Sequence, residues 1–97
     1  MEVRHADRKL ERLETDGGYD AGFDRAIVKA YRKRMQMIRA ATDERDFYGL
    51  KSLHYEKLKG NRKHQRSMRL NDQFRLIIEL EEANGKRVVV ISIEDYH

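Results

Sequence analysis

Hydrophobic positions along the chain change period once, near residue 70, from helical spacing to strand-like alternation. Phe23, Ile27, Ala30, Tyr31, Ile38 and Ala41 recur three, four and seven residues apart, which predicts a main helix over Phe23 to Ala41 with Asp20 as its N-cap. Met35 and Met37 read as gap-filling side chains at the margins of that stripe. Upstream, Asp7 to Glu14 carries only Leu10 and Leu13 among charges, a short helix with a narrow buried stripe that Gly17-Gly18 ends. Met1 to Ala6 fits either a first strand or a frayed end. Thr42 is placed to cap a further turn before Gly49.

Downstream, Asn71-Asp72 is a turn signal, and Phe74, Leu76, Ile78 and Leu80 then alternate onto one face. Asn84-Gly85 suits a tight hairpin, because both residues tolerate positive φ. Lys86 to Ile93 is β-branched on both faces, as in a central strand. Helices first and a three-stranded antiparallel meander second predict an α+β fold, with N-terminal helices packed on a small antiparallel sheet. Residues 1–97 hold material for one domain.

Composition sharpens this outline. Charged residues make up 39% of the chain, as many as the hydrophobic ones, and the net charge is +4. The excess sits in two blocks. Residues 29–39 hold five cations and no acid, and residues 51–75 hold eight cations against two acids. Blocks sharing a face would form a groove for a polyanion, nucleic acid before membrane; the plainer reading is a solvated helix and an unrelated charged loop. No apolar run nears the ~20 residues of a membrane span. With no cysteine and no signal-peptide pattern at the start, the expected location is the cytoplasm.

The densest candidate chemistry lies between His54 and Arg75, HYEKLKGNRKHQRSMRLNDQFR. No Walker loop, GxGxxG or metal-ligand spacing is present, so neither a cofactor nor a metal is expected. Ser52 and Ser67 lack the surroundings of an activated nucleophile. Lys, Arg, His and Tyr suit RNA cleavage by the RNA's own 2′-hydroxyl, which needs charge neutralised and protons moved. Lys59, Arg62 and Arg75 would neutralise phosphate oxygens, His54 or His97 would move protons, and Tyr96, Tyr55 or Phe74 would stack on bases. Lys57, Lys63, Arg66 and Arg69 would add RNA contacts beside Arg62. Against this, Lys59 and Arg62 read equally as solvated loop charges, His54 as a loop hydrogen-bonder and Phe74 as core. Arg75 stands apart, since a charge between two apolar strand residues is costly unless paired or exposed.

Three motifs in order, LHYEKLKGNR, RSMRLNDQFRLI and a terminal EDYH, resemble the HigB-type killer toxins of the RelE/ParE superfamily. The resemblance runs from about the main helix to the last residue. It implies a RelE-like toxin of a type II toxin–antitoxin module that cleaves mRNA in the ribosomal A site, a ribosome-dependent endoribonuclease neutralised by a HigA-like helix-turn-helix antitoxin. Carried over by motif, Lys59, Arg75, Tyr96 and His97 become its catalytic residues, joined by His54. Family members show Leu-His nearer to LKG, so either His54 or Lys57 takes that position, and Phe74 replaces the usual Trp before the Arg. The alternatives are a ParE-like inhibitor of DNA gyrase and a nonenzymatic RNA-binding module.

Overall fold

A computed structural model describes residues 1–82 and 86–96. The order is β1 (Glu2–His5), α1 (Arg8–Thr15), α2 (Arg25–Ala40), α3 (Arg45–Tyr48), β2 (Glu56–Lys57), β3 (Gln65–Arg69), β4 (Phe74–Glu82) and β5 (Lys86–Asp95), with single 3-10 turns at Lys51–Leu53 and Gly60–Arg62. Three helices pack on one five-stranded sheet, the α+β arrangement expected. Its strand order is β1-β5-β4-β3-β2, with β1 parallel to β5 and the other pairs antiparallel.

The caps explain where the helices begin. Asp7 accepts from Lys9 N at 2.8 Å and starts α1, which buries Leu10 and Leu13. Asp24 rather than Asp20 caps α2, accepting from Ile27 N at 3.0 Å. Asp20 instead accepts from Gly22 N at 2.9 Å, closing a turn in which Ala21 and Gly22 both have positive φ. That turn keeps Phe23 out of the helix. α2 buries Ile27, Val28, Tyr31, Met35 and Ile38. Met35 is fully buried at the centre of the stripe, four residues from Tyr31, so it is core and not margin.

Three cations of the block at 29–39 are structural. Arg32 donates to the carbonyls of Leu13, Asp16 and Tyr19, closing the C-terminal end of α1. Arg39 grips Glu14 through two hydrogen bonds, and Arg34 donates to the carbonyl of Arg69. The Arg39 hydrogen bonds hold the Glu14 carboxyl below its ordinary range.

The sheet has five strands where three were expected. β2 is too short for periodicity to reveal, and β1 resolves the ambiguity at Met1 to Ala6 by adding a parallel edge. β5 therefore lies between β1 and β4, which accounts for its β-branched residues on both faces. The hairpin at Asn84-Gly85 falls outside the described residues; Glu82 and Lys86 pair on either side of it.

One irregularity positions everything that follows. Ile77 pairs with Ser92 but Ile78 pairs with Val90, leaving Ile91 as the extra residue of a bulge. Val88 and Val90 belong to the helix-side core, and strict alternation would send Ser92, Glu94 and Tyr96 there too. The extra residue inverts the parity. Ile93 packs against the core instead, and Glu94 and Tyr96 emerge on the open face of the sheet.

Candidate functional site

The open face carries a cleft of about 300 Å³ where the ends of β3, β4 and β5 meet the 3-10 turn at Gly60–Arg62. Ser67 and Ile77, which face each other across β3 and β4, line its floor and are both buried. Leu58, Arg62, Arg75, Glu94, Asp95 and Tyr96 complete its lining. Helix α2 lies across the sheet from this cleft, since it packs on the face formed by Leu76, Ile78, Val88 and Val90. The basic block on α2 therefore lies across the sheet from Arg75 and does not line the cleft.

Arg75 lies between Arg69 on β3 and Glu94 on β5 in the strand register. Its guanidinium carbon sits 4.3 Å from the centroid of the Tyr96 ring, and the buried Nη1 has no hydrogen-bond partner among the described residues. The ring face attracts and orients the cation without consuming its donors. A buried unpaired donor is costly, and such a group in an open cleft suits an anionic occupant. Tyr96 is half exposed, and its backbone N donates to the Gln73 carbonyl at 2.6 Å. Gln73 Nε2 also donates to Asp95 at 2.9 Å, tying the end of β5 to the turn before β4. Asn71 shapes that turn by accepting from the backbone N–H groups of Gln73 and Phe74.

Arg62 has a different fate. Both terminal nitrogens grip Glu94 at 3.0 and 2.8 Å, and Nε donates to Gln65 Oε1 at 2.8 Å. Ser92 Oγ donates to the same carboxylate at 2.7 Å. The Arg62 hydrogen bonds hold the Glu94 carboxyl below its ordinary value of 4.5 despite partial burial. The stabilisation from this pair is thus complete above that value and is lost as pH falls through the lowered one. Glu94→Gln should flatten the acid limb of the unfolding curve, by no more than about 1 kcal/mol for so exposed a pair. Denaturant melts at neutral and acid pH measure this, and an unchanged acid limb would remove the clamp as its cause.

The other expected site residues scatter around this centre. Leu58-Lys59-Gly60 forms the cleft's shoulder, with Leu58 turned inward, Lys59 exposed, and Gly60 at φ 68°, which a side chain would strain. Lys63 is exposed beyond it. Lys57 pairs with Arg66 in the strand register, and Glu56 with Ser67, so it is Glu56 that shares the face of the cleft and Lys57 that turns away. Arg66 donates to Glu44 at 3.2 Å, and Arg69 pairs with Asp72. His54 is exposed in the left-handed conformation that ends the 3-10 turn Lys51–Leu53 and does not line the cleft. Tyr55 is buried and donates to Glu44 at 2.7 Å, leaving no face for a base. Phe74 meets Phe23 edge-on at 6.1 Å and packs against the core. His97 lies outside the described residues.

Sequence reasoning passed over Ser67 as a binding group, Glu94 as the clamp on Arg62, and Glu56 as a carboxylate on the sheet face that carries the cleft. Only the register and the bulge reveal them.

Comparison with known proteins gives a consistent picture. A family model described as the RelE-like toxin HigB of type II toxin–antitoxin systems matches residues 3–97. No curated protein sequence matches the chain. Among solved structures, a YoeB/ParE toxin from Agrobacterium tumefaciens aligns over 100% of both chains at 18% identity, with a TM-score of 0.64. YafQ from E. coli strain BL21(DE3) covers 97% of this chain and 91% of its own at 11% identity and a TM-score of 0.60. The YoeB–YefM complex from Staphylococcus aureus contains a chain 20% identical, with 100% and 97% covered and a TM-score of 0.57. At these identities the structural likeness concerns the fold.

Proposed function

We propose that this chain, which belongs to the HigB family of RelE-like toxins of type II toxin–antitoxin systems, is an endoribonuclease that stops translation by cutting mRNA in the ribosomal A site. The observation that carries this reading is Arg75, a cation with a buried nitrogen that has no partner among the described residues, held against Tyr96 in an open cleft of about 300 Å³. The RNA supplies the nucleophile. Its 2′-oxygen attacks the adjacent phosphorus as the 2′-proton leaves for a base, the bond to the 5′-oxygen breaks, and that oxygen takes a proton from an acid. The products are a 2′,3′-cyclic phosphate and a 5′-hydroxyl, so protons balance and no redox step occurs.

In this scheme Arg75 neutralises the extra charge of the phosphorane, and Tyr96 steadies the guanidinium and offers its exposed edge to a base. Lys59 on the shoulder approaches the backbone, and Lys63 extends the cationic track. His97, next in sequence to Tyr96, and Glu56, on the face of the cleft, are the candidate proton carriers, with the exposed His54 a further one only if the RNA extends beyond the cleft. Arg62 and Arg66 contribute to RNA binding only on leaving Glu94 and Glu44. A cognate HigA-like helix-turn-helix antitoxin would silence the toxin, in keeping with the toxin-family membership and with the YoeB–YefM complex as a structural relative. A ribosomal target places the activity in the cytoplasm.

Induced expression should arrest growth and leave cuts inside translated frames, mapped by primer extension. His97→Ala and Lys59→Ala should each reduce those cuts by at least about 10²-fold, the usual contribution of a proton carrier or a charge-stabilising donor. Arrest with intact mRNA and blocked gyrase supercoiling would replace this reading by the gyrase-inhibitor one.

A further inference from the structure

Ser67 is 2% exposed, and, unlike the buried Tyr31 and Tyr55 hydroxyls, its Oγ has no hydrogen-bond partner among the described residues. It lies on the floor of the cleft, paired with Ile77 in a register that places Arg75 two residues along the same strand and on the same face. Such diagonal neighbours are within reach of a long side chain. Two residues that line one cavity, Ser67 and Arg75, thus each hold a buried donor, Oγ and Nη1, without a partner among the described residues. A hydroxyl kept there against an apolar floor loses its hydration with no return, so a partner from outside is the physical account of its retention.

We infer that Ser67 is a substrate-binding residue: its hydroxyl and Arg75 Nη1 together donate to one nonbridging oxygen of an RNA phosphodiester. The identity of the ligand rests on the nuclease reading above; the two-donor anion site rests on the geometry. The charge around the site favours a diester. Arg62 and Arg75 line the cleft together with Glu94 and Asp95, so the local field is near balance. Recognition then depends on directed hydrogen bonds more than on net positive charge, and a singly charged diester meets less repulsion than a dianion. Glu94 is turned to Arg62 and Ser92, and Asp95 accepts from Gln73, so the carboxylates already have donors of their own.

The experiment uses the whole chain and a 2′-O-methyl dinucleotide, which lacks the attacking hydroxyl and reports binding alone. Titration followed by NMR should shift the Ser67 amide and the Arg75 Nε–H resonances in one saturable process. Ser67→Ala should weaken that binding by about tenfold, the loss expected for one hydrogen bond to a charged group. Its thermal midpoint should equal or exceed the wild type, because a hydroxyl without a protein partner is removed. Wild-type affinity in Ser67→Ala, or a lowered midpoint showing that the hydroxyl already serves the fold, would overturn the inference. The two readings fail separately. Dinucleotide binding that needs Ser67, in a protein that cuts no mRNA, removes the nuclease reading alone, whereas cutting by a Ser67→Ala variant with unchanged affinity removes only this one.

Discussion

Arg75→Ala should abolish growth arrest and lower mRNA cleavage by about 10²–10³-fold, the cost of deleting a donor aimed at developing charge, while leaving the fold intact. Both halves follow from one arrangement. The guanidinium is held by the Tyr96 ring and keeps Nη1 buried without a partner among the described residues. Nothing in the helix-side core depends on it, since Arg75 points away from Leu76 and Ile78. Removing a buried unpaired donor relieves a desolvation penalty, so the melting temperature of Arg75→Ala should match or exceed the wild type. Arg75→Lys restores the charge but loses the planar stack and the fork of donors, and should recover only a minor part of the activity. Primer extension on induced cells and a circular dichroism melt give the two numbers. Wild-type cleavage in Arg75→Ala would eliminate the cleft as the catalytic centre.

This residue was also the most legible in the sequence, for a physical reason. A charge embedded between Phe74 and Leu76 in an alternating strand must face away from the core, and its strand is anchored by long apolar periodicity. The surrounding cations were far less legible. Composition counts charges but not their partners, and Arg62, Arg66 and Arg69 all found carboxylates from distant or nearby positions, Glu94, Glu44 and Asp72. The same holds for the helix block, where Arg32, Arg34 and Arg39 serve carbonyls and Glu14.

The main helix and the central strand could be read because each repeats its pattern over several turns or pairs. What stayed hidden was parity. A single unopposed residue, Ile91, decides whether Glu94 and Tyr96 face the core or the cleft, and no local propensity marks it. Ser67 was weighed only as a nucleophile, because a missing hydrogen-bond partner is a property of the folded neighbourhood. The two-residue strand β2 was likewise beneath any periodicity, although its register is what separates Glu56 from Lys57.

Phe47→Ala should destabilise the protein by about 3–5 kcal/mol, the range for truncating a buried aromatic, and thereby remove activity without touching the cleft. Phe47 is 1% exposed, and its ring lies 5.3 Å from that of Tyr55. Tyr48 meets the same Tyr55 ring edge-on at 4.8 Å, and the Tyr55 hydroxyl donates to Glu44, which also receives Arg66. Burial, then the hydrogen bond to Glu44, pushes the Tyr55 hydroxyl well above its ordinary pKa, so it remains a donor at any working pH. This cluster anchors the chain just before β2 and the Leu58-Lys59-Gly60 shoulder. For a domain of about 100 residues, each kcal/mol moves the midpoint by roughly 4–8 °C, so the loss should exceed about 12 °C in a thermal melt. Tyr55→Phe keeps the ring and deletes one hydrogen bond, with an expected cost of about 1 kcal/mol and most of the cleavage retained. A stable but inactive Phe47→Ala would contradict this division, since it would give the aromatic cluster a direct part in the chemistry, which its burial on the helix side of the sheet denies it.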